Sequence, residues 1–309
     1  MKKILIIGAS GFVGKYLSEQ LVLERVSERT SEKYQVIGMG TSLHHPLEGQ
    51  FDNFKWISAD TSRKGDWQNH VAVSDIVINL AGRNIFKRWS KTYKQAIYDS
   101  RILTTRHIVD AMEKGKPAKL MNASAVGYYG DMGETLLSET DSAGSDFLAK
   151  VCNDWESQAL AADKKGIKVC IMRFGVVLGA QGALSKMVPA FKFFVGGPLG
   201  SGRQWFPWIH IKDLYRAVKF LMNHPDSEGT FNFTGPSPVR QKDFAKALGL
   251  ALNRPAFMPA PAFMIRMMMG ELGDSLLQSQ KTFPGKLMEK GFEFEFQNTG
   301  EALGDIFKK

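Results

Sequence analysis

Residues 4–14, Ile-Leu-Ile-Ile-Gly-Ala-Ser-Gly-Phe-Val-Gly, constrain the fold of this chain more than any other stretch. Four apolar residues run into Gly8, Gly11 and Gly14, spaced G-x-x-G-x-x-G, and then into an apolar pattern of helical period. That order implies a buried strand, a tight turn and a helix start. Gly8 takes the sharp turn, Gly11 lets backbone approach a pyrophosphate, and Gly14 lets the helix pack closely on the strand. The free N–H groups at the helix start then face the anion. Ser10, Phe12 and Val13 occupy the positions between these glycines and join them as candidate cofactor-binding residues.

Further short apolar runs at 34–39, 54–59, 75–82, 119–123, 168–174 and 229–234 read as strands. Helical patterns fill about 12–26, 90–114 and 145–164, with a polar stretch at 27–33 after the first. Strand and helix alternating in this way predict an α/β fold, a Rossmann-type doubly wound parallel sheet, with a smaller mixed C-terminal region on the substrate side. From about Gly182 the alternation lapses into Gly- and Pro-rich loops. Residues 1–180, with 205–235 returning to them, are therefore expected to form the dinucleotide-binding core. Residues 181–204 and 236–309 form a substrate-side cap and C-terminal extension.

The residues just beyond the second strand decide which dinucleotide fits. A carboxylate there bonds the ribose hydroxyls of NAD and repels the additional phosphate of NADP. Here the residues are Gly40, Thr41 and Ser42, whose hydroxyls suit a 2′-phosphate, with His44 or His45 available to add charge. NADP (NADPH) is the expected cofactor. Asp60, at the end of the third strand, is placed to accept from the adenine amino group. The fourth strand ends in Asn79-Leu80-Ala81-Gly82, which lets backbone lie against the cofactor.

At 309 residues, 44% apolar and 23% charged, the composition is that of an ordinary globular protein. No uncharged apolar run approaches the ~18 residues of a membrane span, and Met-Lys-Lys is followed by too short an apolar run for a secretion signal, so a soluble, cytoplasmic protein is expected. The net charge of +9 is scattered apart from Arg83, Lys87, Arg88, Lys91 and Lys94, and no nucleic-acid motif accompanies it. The expected partner is a small anionic or polar molecule, with no nucleic acid and no membrane; a homodimer stays open. Cys152 and Cys170 lack metal-ligand spacing and read as core residues, and no metal is expected. The methionines at 258, 264, 267, 268 and 269 stand at helical spacing and read as core filling.

Taken with Ser124-Ala125 and Trp208-Ile-His-Ile-Lys-Asp213, the glycine turn and Asn79-Leu-Ala-Gly82 resemble the extended short-chain dehydrogenase/reductase superfamily. Residues 124–131, 173–179 and 196–204, with the methionine-rich C-terminal segment, look like its "epimerase family" subgroup, which carries a C-terminal extension. That resemblance implies a Rossmann fold, NADP held by Thr41, Ala81, Gly82 and Arg101, and a substrate pocket under the C-terminal half. By the same likeness Ser124 bonds a substrate oxygen and Lys150 holds the nicotinamide ribose.

Two departures from the superfamily pattern stand out. Its working members carry Tyr-x-x-x-Lys, in which the tyrosine moves the proton. Four residues before Lys150 stands Asp146 instead. Tyr128 and Tyr129 are the available substitutes, with Tyr129 taken as the catalytic candidate. Phe206-Pro207 replace the Arg and Asp that precede Phe-Ile-His in nucleotide-sugar epimerases, leaving Arg203 as a substitute phosphate contact. His210 reads as structural, and Asp213 as a favourable charge near a helix start. Two functions are consistent with these residues: an NADP-dependent oxidoreductase or epimerase acting on a hydroxyl or carbonyl, or a catalytically impaired dinucleotide-binding regulatory protein.

Overall fold

The computed structural model describes residues 1–24, 34–114, 118–224 and 226–308. The polar stretch at 27–33 and the predicted last residues of the first helix lie outside these.

Seven parallel strands form the central sheet: β1 (Lys2–Ile7), β2 (Tyr34–Gly40), β3 (Phe54–Ser58), β4 (Ile76–Asn79), β5 (Lys119–Ala125), β6 (Lys168–Phe174) and β7 (Gly229–Phe233). Their order is β3-β2-β1-β4-β5-β6-β7, so the chain leaves β1 in one direction and later returns to its other side at β4. That reversal opens a crevice beyond the carboxyl end of β1, where doubly wound sheets hold their ligands. The strands are apolar on both faces because helices cover both. Ile4 and Ile6 pack into one layer, Leu5 and Ile7 into the other.

Around the sheet lie α1 (Phe12–Leu23), α2 (Lys91–Ala111), α3 (Phe147–Leu160) and α5 (Ile211–Asn223), while α4 (Ala183–Lys192) packs into a separate cluster with Phe244, Leu248 and Leu303. The C-terminal region adds α6 (Gln241–Leu252), α7 (Ala262–Met269), α8 (Glu271–Leu276) and α9 (Thr299–Phe307). Ser90 caps α2 by accepting from the Tyr93 N–H, so the helix begins one residue inside the predicted start. Cys152 and Cys170 are buried, which pushes their thiols up to about 11 and about 12.

The C-terminal region is tied into the core rather than perched on it. Leu287, Phe292 and Phe294 belong to the same apolar cluster as Ile4 and Ile6. Buried Asp213 accepts from the backbone N–H of Glu295 and of Phe296, at 2.9 and 3.0 Å, and also receives Arg216 at 2.7 Å. A carboxylate in the first turn of α5 therefore clasps the returning tail. Among the described residues, no helix is long and apolar enough to cross a membrane.

The methionines depart from the expected core role. Met258, Met264, Met267 and Met268 are exposed. In α7 the inward position belongs to Ile265, and the short helix has only one side on the protein.

Candidate functional site

A groove of about 660 Å³ opens at the carboxyl ends of β1 to β4. Gly8, Ser10, Gly11, Thr41, Asp60, Leu80, Ala81 and Gly82 line it, eight of the residues expected to meet a cofactor. Gly8 has φ +86, and a Cβ there would stand 2.8 Å from the Leu80 backbone, so glycine is required both by conformation and by space. A Cβ on Gly14 would meet Gly8 O at 2.3 Å and Ala9 Cα at 2.6 Å. The turn thus lies flat against β4 and the start of α1 lies flat against the turn, which leaves the groove free for a ligand. A dinucleotide fits these features: a glycine cradle, a helix start and a groove whose lining includes the hydroxyls of Ser10 and Thr41.

Several of the expected residues also have partners within the protein. Phe12 points away from the groove and packs against Gly179 and Gly182, and Val13 packs against the core. The Ser42 carbonyl accepts from Trp56 Nε1 at 3.2 Å. Asp60 receives the Ser62 N–H and hydroxyl, with Arg63 at 3.6 Å. His45 is buried, stacked on Trp56 and bonded to the Ala9 carbonyl, and burial lowers its pKa, so it braces the loop as a neutral ring and adds no charge. His44 stands in solvent beside Glu48.

Arg101 lies behind Gly82, where a Cβ would stand 2.8 Å from its guanidinium carbon. Its Nη1 donates to the carbonyls of Arg83 and Ile97, and the group rests 5.2 Å over the Trp155 ring. Burial lowers its pKa, and it has no carboxylate partner among the described residues. An arginine so placed keeps its charge, and it stands behind Gly82 rather than among the residues that line the groove.

The catalytic candidates do not converge. Ser124 is buried and its hydroxyl donates to Glu156 Oε1 at 2.6 Å, so its proton is already committed. Tyr129 is fully buried. Its hydroxyl lies within bonding distance of the Ser138 carbonyl, Asn232 Oδ1 and Arg173 Nη1, and burial pushes its pKa up to about 12. Tyr129, expected as the proton-moving hydroxyl, is thus placed in the interior with its hydroxyl bonded to the protein. Tyr128 is half-buried with the Arg173 guanidinium 3.5 Å over its ring, and its hydroxyl has no partner among the described residues.

Asp146 is not inside a helix at all. It caps α3, accepting from the Ala149 N–H at 3.0 Å, and its other oxygen accepts from Gln278 at 2.9 Å. Lys150 is 68% exposed and paired with Asp154 at 2.7 Å, which raises its pKa. It faces a separate cavity of about 440 Å³ walled by Trp89, Lys94, Tyr98, Phe147 and Glu271. Lys150 lines this cavity and not the glycine groove. His210 caps α5 by accepting from the Lys212 N–H, and Arg203 is exposed.

Sequence reading missed the buried ion pair between Arg173 and Glu156. The signal was present: apart from Lys168 at its start, the strand that holds Arg173 is apolar, and a charge buried there requires a partner.

Residues 4–233 match the NAD dependent epimerase/dehydratase family, and residues 260–306 match a domain of unknown function, DUF1731. The chain is 37% identical to the chloroplastic epimerase family protein SDR39U1 homolog of Arabidopsis thaliana, over 99% of this chain and 86% of that one. It is also 37% identical to an epimerase family protein of Staphylococcus epidermidis, with both chains wholly covered. Among solved structures, human epimerase family protein SDR39U1 (isoform 2), crystallised with NADPH, superposes with a TM-score of 0.83 at 28% identity, covering 99% of each chain.

Proposed function

Because the chain belongs to the NAD dependent epimerase/dehydratase family, we propose that it is an NADP(H)-binding oxidoreductase or epimerase acting on a hydroxyl or carbonyl group of a polar small molecule. The glycine-lined groove carries this reading, since its β2 rim presents Thr41 and no carboxylate to the adenosine end. The NADPH in the human relative's crystal structure supports the same choice. Gly8, Ser10 and Gly11 would hold the pyrophosphate, Thr41 the 2′-phosphate, and Leu80 to Gly82 the ribose and nicotinamide side. When bound, the dinucleotide supplies or accepts a hydride. Of the two tyrosines, Tyr128 takes the proton-moving role, since its hydroxyl has no partner among the described residues. Titrating the protein with NADPH and NADH tests the cofactor assignment: NADPH is expected to bind about tenfold or more tightly, and equal affinities overturn it.

A second reading, a dinucleotide-binding regulatory protein without turnover, is favoured by the commitment of Ser124 to Glu156 and of Asp146 to the helix cap. Following NADPH absorbance against a panel of carbonyl compounds separates the two. Oxidation that depends on Tyr128 supports the enzyme, and binding without oxidation supports the regulator.

A further inference from the structure

An apolar face on the C-terminal side takes no part in the dinucleotide groove. Beyond α4 the chain runs into Phe193, Phe194 and Val195, which are 77%, 57% and 52% exposed. Phe257 and Met258 are exposed beside them, and α7 turns Phe263, Met264, Met267 and Met268 outward on one side. Backbone bonds join the two segments: Met258 N to Gly196 O at 3.2 Å, Ala260 N to Pro198 O at 2.8 Å and Gly200 N to Ala260 O at 2.8 Å. Phe194 holds φ at 64°, a conformation that L side chains rarely adopt, with the Arg254 guanidinium 5.0 Å over its ring. An aromatic ring is thus held in solvent at a cost in backbone strain, which is a reason to seek a function for it.

Positive charge predominates along the two segments that carry this face, with Asp243, Glu271 and Asp274 at the ends of the second. Residues 183–200 contain Lys186 and Lys192, residues 244–270 contain Lys246, Arg254 and Arg266, and neither stretch contains Asp or Glu. Arg266 pairs with Asp274 at 2.7 Å, whereas the other four have no carboxylate partner among the described residues. Two copies joined through this face would bring these cations together. A layer of phosphate headgroups neutralises them while Phe and Met side chains enter the acyl boundary, and flexible methionines suit that disordered environment.

We propose that this face seats the protein on an anionic phospholipid surface, lying at the interface without crossing it. The inference is independent of the dinucleotide reading.

Flotation of the full chain with phosphatidylcholine vesicles, with and without phosphatidylglycerol, tests it. The protein is expected to rise with the anionic vesicles and much less with the neutral ones. Phe263→Ser/Met267→Ser and Lys192→Glu/Arg254→Glu should each lower partitioning by about tenfold or more with unchanged melting, as expected from losing two apolar or two cationic anchors. Failure of the wild type to rise with anionic vesicles overturns the proposal, as does flotation of both variants to the same extent as the wild type. A dimer that Phe263→Ser/Met267→Ser converts to monomer, without flotation, also overturns it and assigns the face to a second copy of the chain.

Discussion

Arg173 and Glu156 form a bidentate ion pair, Nε to Oε1 at 2.9 Å and Nη2 to Oε2 at 2.8 Å, with both side chains almost wholly excluded from water. The pair joins the carboxyl half of β6 to α3, and through it Ser124 and Tyr129 are drawn into one buried network. Removing either charge leaves the other unpaired in the interior, which typically costs about 3–5 kcal/mol. Glu156→Gln and Arg173→Met should each lower the urea midpoint accordingly. The double change Glu156→Leu/Arg173→Met should recover part of the loss, and a double variant as unstable as the sum of the two would refute this account.

Tyr128→Phe and Tyr129→Phe are expected to act on different quantities. The second removes a hydroxyl from Asn232, Arg173 and the Ser138 carbonyl, and one unsatisfied buried group costs about 1–3 kcal/mol. Tyr128→Phe should leave melting unchanged and reduce any turnover by about 10²–10⁴-fold. Turnover that survives Tyr128→Phe intact would remove Tyr128 from the mechanism.

Asp146 is a helix cap, so Asp146→Asn should melt above Asp146→Ala, because asparagine still accepts from the Ala149 N–H although it gives up the oxygen that receives Gln278. Asp146→Ala should cost about 1 kcal/mol. Equal melting of the alanine and asparagine variants would show that the cap contributes nothing.

Glycine substitutions should separate fold from cofactor. The methyl of Gly14→Ala meets backbone that cannot yield, and loss of both stability and NADPH affinity is expected. The methyl of Gly82→Ala meets only the Arg101 guanidinium, the far end of a movable side chain. That variant should fold normally yet weaken NADPH binding, as should Arg101→Ala. If calorimetry returns wild-type NADPH affinity for Arg101→Ala, the arginine has no cofactor role.

His210 imposes a pH dependence. Burial against Phe296 lowers its pKa from 6.5 to about 4, with Asp305 opposing that shift, so the folded state keeps the ring neutral while the unfolded chain protonates it. The unfolded state therefore binds more protons below pH ~6.5, and stability falls as pH drops from there to about 4, by about 3 kcal/mol in total. His210→Asn keeps a capping acceptor without the titration. Urea melts across this range should show the wild type losing more stability than the variant, and parallel curves would exclude His210 as the source.

Much of the groove was legible in the sequence because its requirements are local. Gly8, Gly11 and Gly14 are read from steric need, the end of β2 from the absence of a carboxylate, and each sheet strand from a continuous apolar run. The catalytic side was less legible. Lys150 keeps superfamily spacing from Asp146, but spacing does not reveal that the helix begins after Asp146, because a capping bond to Ala149 and a long-range bond from Gln278 fix that boundary. The exposed methionines misled for a related reason: helical period marks a face but not whether anything covers it.

Residue pattern alone dictates the strand-turn-helix start, the all-parallel sheet and the position of the dinucleotide groove, since these arise from backbone sterics and from the burial of contiguous apolar segments. Which hydroxyls are available depends on the assembled layers. Tyr128 and Tyr129 are neighbours with the same chemistry, yet Tyr129 is consumed by Asn232, 103 residues away, and by Arg173, 44 residues away. Hydrogen-bond partners at such separations are set by how the layers close on one another, and no local pattern in the chain encodes that closure.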